Sequence, residues 1–452
     1  MKVAKFGGTS LASAQQIKKI SKIIQADRER RIVVVSAPGK RDLDDTKITD
    51  LLIDIARKRL EGNNYEHSVS EVVNRYNDIA NDLQINNKLV GDIENNLRDL
   101  CNAQLDQKDR FVDTIKATGE DSCAKLVAEY LRTEGIDANY MNPRTGGMIL
   151  SDEPGNARIL EESYKKLGEL REMSGVTVFP GFFGYSEMGQ VVTFPRGGSD
   201  ITGAILSAAV KADIYENFTD VDSVFVANPL IVNKPVSVKE ITYREMRELS
   251  YAGFSVFHDE ALEPVFHAGI PVVIKNTNNP SSPGTQILPN RKAGRHPVVG
   301  IAANDGFCSI YVSKYLMNRE VGFGRRILQI FEDEGISFEH TPSGIDNISI
   351  IVNEKDFDSE TEERVEHRLR RELKADEVTT ERGLALVMIV GEGMRKSKGV
   401  AAKACTAFSE AGINLEMINQ GSSEVSMMFG IKATEAPNAV RALHSEFFPD
   451  AI

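Results

Sequence analysis

Two glycine pairs, each following a strand-like run and opening a helical one, are where this sequence could do chemistry. In Lys5-Phe6-Gly7-Gly8-Thr9-Ser10, paired glycines let backbone N–H groups approach an anion at a helix N-terminus, and Lys5 adds a fixed positive charge. In Pro195-Arg196-Gly197-Gly198-Ser199-Asp200, Ser199 or Asp200 is placed to cap the following helix. Arg196 offers a planar fork that matches a carboxylate, and Asp200 could instead orient the lysine and a metal ion. Two such turns could face one phosphate.

Three further places fit the same reading. Ser36-Ala37-Pro38-Gly39 follows the second strand and Thr49-Asp50 starts the next helix, so their hydroxyls would line the carboxyl edge of a sheet, where open α/β folds bind ligands. Gly119-Glu120 reads as the opening of a helix over 121–133. A carboxylate there either balances the helix dipole or grips a substrate ammonium.

Other chemistries are poorly served. No GxxxxGK[ST] phosphate loop occurs, and Gly391-Glu392-Gly393 lacks the third glycine of a dinucleotide fingerprint because position 396 is Lys. His258 and His267 lie nine residues apart, about 900° of helix, and so point in opposite directions. The four cysteines are scattered without a CxxC pair, so neither a zinc site nor a disulfide framework is expected and no protein-held metal is assigned.

The elements that must position these residues alternate. Val3 to Phe6, the helical Ile17, Ile20 and Ile24, and the run Ile32 to Val35 form a βαβ opening. Residues 42–134 read as a mostly helical, polar subdomain. Strand-like runs return at 176–179, 191–194, 214–218 and 270–274 between helical segments at 200–211, 243–252 and 259–268. Such alternation implies an α/β fold with a mostly parallel central sheet sandwiched by helices. Residues 279–297, rich in proline, read as a linker, with a domain boundary near 295.

Beyond it lies an internal repeat at a constant offset of 77, carrying Ile310 to Val387, Gly322 to Gly399, Phe331 to Phe408, Gly335 to Gly412 and Glu339 to Glu416. Each copy reads as a compact βαββ unit, and the two could pair sheet edge to sheet edge.

At 452 residues the chain should form about two to four compact units. A formal net charge of −12 without a basic block disfavours nucleic acid and anionic membranes as partners and favours a small molecule. Only six residues precede Gly7, and no apolar run approaches the ~20 residues of a membrane span. A cytoplasmic protein without a leader is therefore expected.

With these motifs in hand, the chain resembles the aspartokinases of the amino-acid kinase superfamily across essentially its full length. Residues 5–10 are similar to the family's KFGGTS signature, 196–200 to its RGGSD signature and 270–276 to its strand bearing a nucleotide-side lysine, while the repeat looks like paired ACT domains. The resemblance implies an amino-acid-kinase-like catalytic domain over 1–295 and two α+β ACT-like domains over 296–376 and 377–452, with return of the terminal segment to the first as an alternative. It implies that ATP, with Mg²⁺ bridging its phosphates, phosphorylates the side-chain carboxylate of L-aspartate.

Position by position, it places Lys5, Gly7 and Gly8 at the transferring phosphoryl group and Arg196 on the substrate α-carboxylate. Glu120 would hold the α-ammonium, Ser36, Thr49 and Ser199 would line the amino-acid pocket, and Asp200 would organise the reacting groups. Thr219, Asp220, Phe225, Lys275 and Asn276 would hold ATP. Phe225 stands where the family often has Tyr and Leu230 where it often has Arg, which removes two polar contacts. An amino-acid effector, lysine and/or threonine, would bind Met317, Glu320, Gly322, Phe323, Gly324, Ser337, Phe338, Glu339 and Asp346. The acidic Glu320, Glu339 and Asp346 favour lysine. A homodimer through the ACT-like units is expected.

The chemistry is coherent with these residue types. Aspartate's side chain, with an ordinary pKa of about 3.9, is already ionised near neutrality and needs no general base, so catalysis reduces to positioning and charge neutralisation. Rival readings are a related kinase acting on glutamate or N-acetylglutamate and a non-catalytic amino-acid sensor. A fused homoserine dehydrogenase is not expected, since the chain ends shortly after the second repeat.

Overall fold

A computed structural model describes residues 1–86, 88–104, 107–254, 256–257, 259–292, 296–421 and 425–449. His258 and the boundary near 295 fall outside them. The chain divides into two compact units, residues 1–224, 237–250 and 255–291 forming one, and 225–236, 251–254 and 292–452 the other.

The first unit opens as β1 (Lys2–Phe6), α1 (Ala14–Gln25) and β2 (Arg30–Val35). Four helices follow, α2 (Ile48–Glu61), α3 (Glu66–Asp82), α4 (Lys88–Asn102) and α5 (Lys108–Thr133), as the polar helical stretch predicts. Next come β3 (Ala138–Tyr140), α6 (Pro143–Gly146), β4 (Ile149–Leu150), α7 (Glu161–Gly168), β5 (Val176–Pro180), β6 (Phe183–Ser186), β7 (Val191–Thr193), α8 (Gly198–Ala209) and β8 (Ile214–Thr219). The unit ends with β9 (Glu240–Thr242), α9 (Tyr243–Tyr251), α10 (Leu262–Ala268), β10 (Val272–Asn276) and β11 (Thr285–Leu288), although Tyr251 itself clusters with the second unit.

Among the described residues, eight strands form one sheet in the order β3-β5-β2-β1-β8-β10-β11-β9, parallel throughout except where β10 meets β11. Strand alternation assigns its two faces. Ala4, Phe6, Val33, Val35, Val178 and Phe218 join the apolar stripes of α1 to α5 in one core, and Val3, Lys5, Tyr215 and Asn217 lie on the other face, where α8 packs.

Two readings change here. The run at 191–194 does not enter the large sheet, because Ser186 and Gln190 close a tight hairpin through Gly189 (φ 76°) and pair β7 with β6 in a separate small sheet. Part of the expected linker is strand β11, reached through Gly284, where a Cβ would meet the Ile274 carbonyl oxygen at 2.0 Å.

The second unit carries the repeat as β12 (Gly300–Ser313), α11 (Phe323–Asp333), β13 (Phe338–His340), β14 (Asn347–Asn353) and α12 (Ser359–Glu372), then β15 (Glu377–Val390), α13 (Val400–Glu410), β16 (Met417–Asn419), β17 (Ser426–Lys432) and α14 (Ala436–Phe447). Each copy thus adds a second helix to the expected βαββ. The copies pair edge to edge, through antiparallel β12 and β15, into one sheet ordered β13-β14-β12-β15-β17-β16. The offset of 77 reappears in backbone conformation, with Gly306 and Gly383, Gly322 and Gly399, and Gly335 and Gly412 all left-handed.

Candidate active site

An ion pair joins the two glycine corners. Lys5, buried on the α8 face, reaches from β1 so that its Nζ stands 2.5 Å from Asp200 Oδ1 in the first turn of α8. Asn217, beside Lys5 on β8, donates to the same oxygen at 2.8 Å. Asp200 does not cap its helix, and neither does Ser199. Gly197 takes the N-cap position in the left-handed conformation (φ 83°) without a side-chain bond, which frees Asp200 for the lysine. Ser199 Oγ instead fills the space beside Gly181, where a Cβ would approach it to 2.6 Å. Arg196 is exposed just before the corner.

The first corner rests on the loop after β2. Gly39 donates its N–H to the Gly8 carbonyl at 2.8 Å, and a Cβ on Gly39 would lie 2.7 Å from the Gly8 carbonyl carbon. Only glycine allows so close a backbone approach. Arg75 of α3, itself buried, holds this loop from beneath by donating to the Gly39 and Thr46 carbonyls and pairing with Asp45. Ser36 and Thr49, half-buried, flank the loop at the carboxyl end of β2 and the start of α2.

Glu120 lies in the middle of α5 rather than at a helix start. Gly119 is tolerated inside that helix because a Cβ there would press on Ala37 Cβ and Leu52 Cδ1, both at 3.0 Å. The Glu120 carboxylate is buried and its Oε2 has no hydrogen-bond partner. Burial pushes its pKa up to about 7, against the pull of the Ala37 backbone amide and the Lys116 ammonium. An oxygen left in this condition retains the capacity to accept a hydrogen bond.

On the other flank, Thr219 and Asn276 pair across the carboxyl ends of β8 and β10, Asp220 is exposed just beyond, and Asn276 donates to Asp222 at 2.8 Å. Lys275 is not brought to Lys5. Alternation along β10 turns it to the opposite face, level with Phe218, where burial lowers its pKa against the field of Glu216. Phe225 belongs to the second unit and is half-buried there.

Several residues went unread in the sequence. Asn217 is one, although a polar pair, Glu216-Asn217, inside a buried strand is a visible signal. Phe182 is another: its φ of 75° is strained for a non-glycine residue, and its ring abuts Gly198, where a Cβ would meet Cδ2 at 2.7 Å. No local pattern marks that strain.

In the second unit Gly322 (φ 78°) starts α11, with Phe323 and Met317 buried, Gly324 in the first turn, and Ser337 and Phe338 exposed at the edge strand. The acidic residues expected to favour lysine are already engaged. Glu320 pairs with both Lys314 and Arg326, Asp346 accepts the Leu316 N–H at 2.9 Å, and Glu339 accepts the Tyr251 hydroxyl.

A model of the amino acid kinase family matches residues 1–276, and an ACT domain model matches 387–447. Aspartokinase 3 of Bacillus subtilis is 54% identical over 99% of each chain. The bifunctional aspartokinase/homoserine dehydrogenase of Haemophilus influenzae is 31% identical over 99% of this chain and 56% of its own. The crystal structure of Clostridium acetobutylicum aspartate kinase, an allosteric enzyme, superposes with a TM-score of 0.85 at 37% identity, covering 99% of this chain and 100% of that one. Aspartokinase III of Escherichia coli, in complex with aspartate and ADP, does so with a TM-score of 0.82 at 25% identity and the same coverage. No helix among the described residues is long and apolar enough to cross a membrane.

Proposed function

Since the chain belongs to the aspartokinases of the amino acid kinase family, we propose that its two glycine corners and the buried Glu120 bind ATP and L-aspartate for transfer of the γ-phosphoryl group to the aspartate side chain. The observation that carries the reading is the Glu120 Oε2, buried without a partner one loop away from the Lys5–Asp200 pair. A primary ammonium is the donor that suits it, and Arg196 supplies an exposed fork for the α-carboxylate.

Ser36, Thr49 and Ser199 line the remainder of the amino-acid site. The side-chain carboxylate attacks the γ-phosphorus, an oxygen–phosphorus bond forms, and the bond to the β-phosphate oxygen breaks to release ADP. Lys5 and the Gly8 N–H take up the spreading charge, the Gly7 N–H being engaged with the Phe218 carbonyl at 3.0 Å, and Asp200 with Asn217 keeps the lysine aimed. Thr219, Asp220 and Asn276 form the nucleotide side; Lys275 is left out because it faces away.

Among the described residues no group of three or more His, Cys, Asp or Glu side chains is placed to hold a metal ion. Mg²⁺ in such a reaction is ordinarily held by one or two carboxylates and the nucleotide's own phosphates. Asp200 would be its protein ligand, and the ion would neutralise phosphate charge.

The second unit is the proposed effector site for lysine and/or threonine and the contact of a homodimer, for which β13 and β16, the outermost strands among the described residues, offer edges for pairing. Because Glu320, Glu339 and Asp346 are engaged, their charge does not by itself select lysine. Thermal shift with each amino acid, singly and together, separates the two.

The test of the catalytic reading is ADP release with aspartate against glutamate, with hydroxylamine trapping the acyl phosphate. Hydroxamate formed from aspartate alone is the expected result. Turnover with glutamate, or none with either, would overturn the assignment.

A further inference from the structure

Resting on the substrate assignment above, we infer that Lys116 is a positioning residue for the amino-acid substrate, tying the hairpin that leads to Arg196 to the helix that carries Glu120. Its Nζ stands 2.9 Å from Asp113 Oδ1 and 3.0 Å from Thr193 Oγ1, and 5.4 Å from the centre of the Phe182 ring. Thr193 ends β7, three residues before Arg196. Lys116 lies one turn before Glu120 on α5, so the two share a helix face. Beneath it Asp113, buried, accepts the Thr193 N–H at 2.7 Å, the Thr193 hydroxyl at 2.8 Å and the Gly155 N–H at 2.8 Å.

The two bonds to Thr193 already clamp the hairpin to α5, and with the Gly155 N–H they satisfy Asp113 without the ammonium. It does two other things. It sits on the face of the strained Phe182, whose ring presses on Gly198 at the start of α8 and whose N–H donates to Thr202 Oγ1 at 3.0 Å. It also places a positive charge where it acts on Glu120. The other groups facing Glu120 are the Ala37 amide from the loop after β2, the Tyr76 phenol from α3 and the Cys123 thiol from the next turn of α5, the last two kept neutral by burial. Lys116 therefore favours the ionised form that a substrate ammonium requires, and it orders the wall between the two ends of the substrate.

The test compares wild-type full-length protein with Lys116→Met and Lys116→Arg, varying aspartate at saturating ATP from pH 6 to 9. Lys116→Met should raise KM for aspartate about tenfold, the equilibrium factor that one pH unit of protonation represents, with kcat changed less than about threefold. The acid limb of kcat/KM for aspartate should move upward in pH, and Lys116→Arg should restore both. If Lys116→Met does not fold, Lys116→Gln serves in its place. An unchanged KM and pH profile, or equal losses for aspartate and ATP with a lowered melting temperature, would overturn the inference and leave Lys116 a structural group. Wild-type protein inactive on aspartate would instead remove the substrate assignment on which it rests.

Discussion

A carboxylate oxygen buried without a hydrogen-bond partner burdens the folded state, and Oε2 of Glu120 is such an atom. Its folded pKa, about 7 against an ordinary 4.5, means that the native protein binds a proton there which the unfolded chain has already lost. Stability at this site therefore falls as pH rises from about 4.5 to about 7 and stays lowered above that. Glu120→Gln should raise stability at pH 8 by up to about 3 kcal/mol, read as an upward shift in melting temperature, while abolishing measurable aspartate binding. The same titration predicts that aspartate affinity in the wild type weakens as pH falls through about 7, measurable by calorimetry. If Lys5 has the proposed role of meeting charge in the transition state, Lys5→Ala should lower kcat by about 10² to 10³ with a smaller change in KM for ATP. Near-normal turnover in steady-state assays would refute that role.

Between residues and fold stand the elements that hold the two corners together. The loop after β2 touches the first corner backbone to backbone, and Gly39→Ala would force a Cβ to within 2.7 Å of the Gly8 carbonyl carbon and 2.9 Å of the Thr9 nitrogen. Neither atom belongs to a side chain that can swing away. A displacement of the corner by a fraction of an ångström should cost about 10²-fold in kcat, seen in turnover at saturating substrates. On the opposite face of the sheet, Arg30 forks onto Glu216 at 2.6 and 3.0 Å beneath the Phe218 ring, both side chains buried. Arg30→Met alone should destabilise by about 3–5 kcal/mol in urea unfolding by stranding the carboxylate, whereas Arg30→Met with Glu216→Leu should recover most of the loss.

At the scale of the whole molecule, the repeat is built by strand exchange. Residues 307–313 of β12 form the central strand of the first copy and 300–305 pair with β15 of the second, while residues 377–381 of β15 return to edge the first. The bulges that let each strand serve both copies sit at Gly306 and Gly383. A fragment ending at residue 376 would lose that outer strand and bare a long sheet edge. Expressed alone, residues 296–376 should show no cooperative thermal transition and should self-associate in sedimentation, while 296–452 should unfold cooperatively.

Much of this protein was legible in its residues alone. The βαβ opening, the helical stretch from 42 to 134, the mostly parallel sheet and the constant offset of 77 all follow from periodicity and glycine placement, because amphipathic spacing and left-handed turns are local properties of a chain. The signatures at 5–10 and 196–200 likewise marked two glycine-bearing strand-to-helix corners. What the residues could not settle is direction and company. Whether Asp200 caps a helix or aims a lysine, whether Glu120 opens a helix or lies orphaned within one, and which face Lys275 takes depend on what packs against them, as does the clustering of Lys116, Asp113, Thr193 and Phe182. Those contacts join segments up to about two hundred residues apart, and their energies come from burial and charge at close range, which exist only once the sheet and helices have assembled.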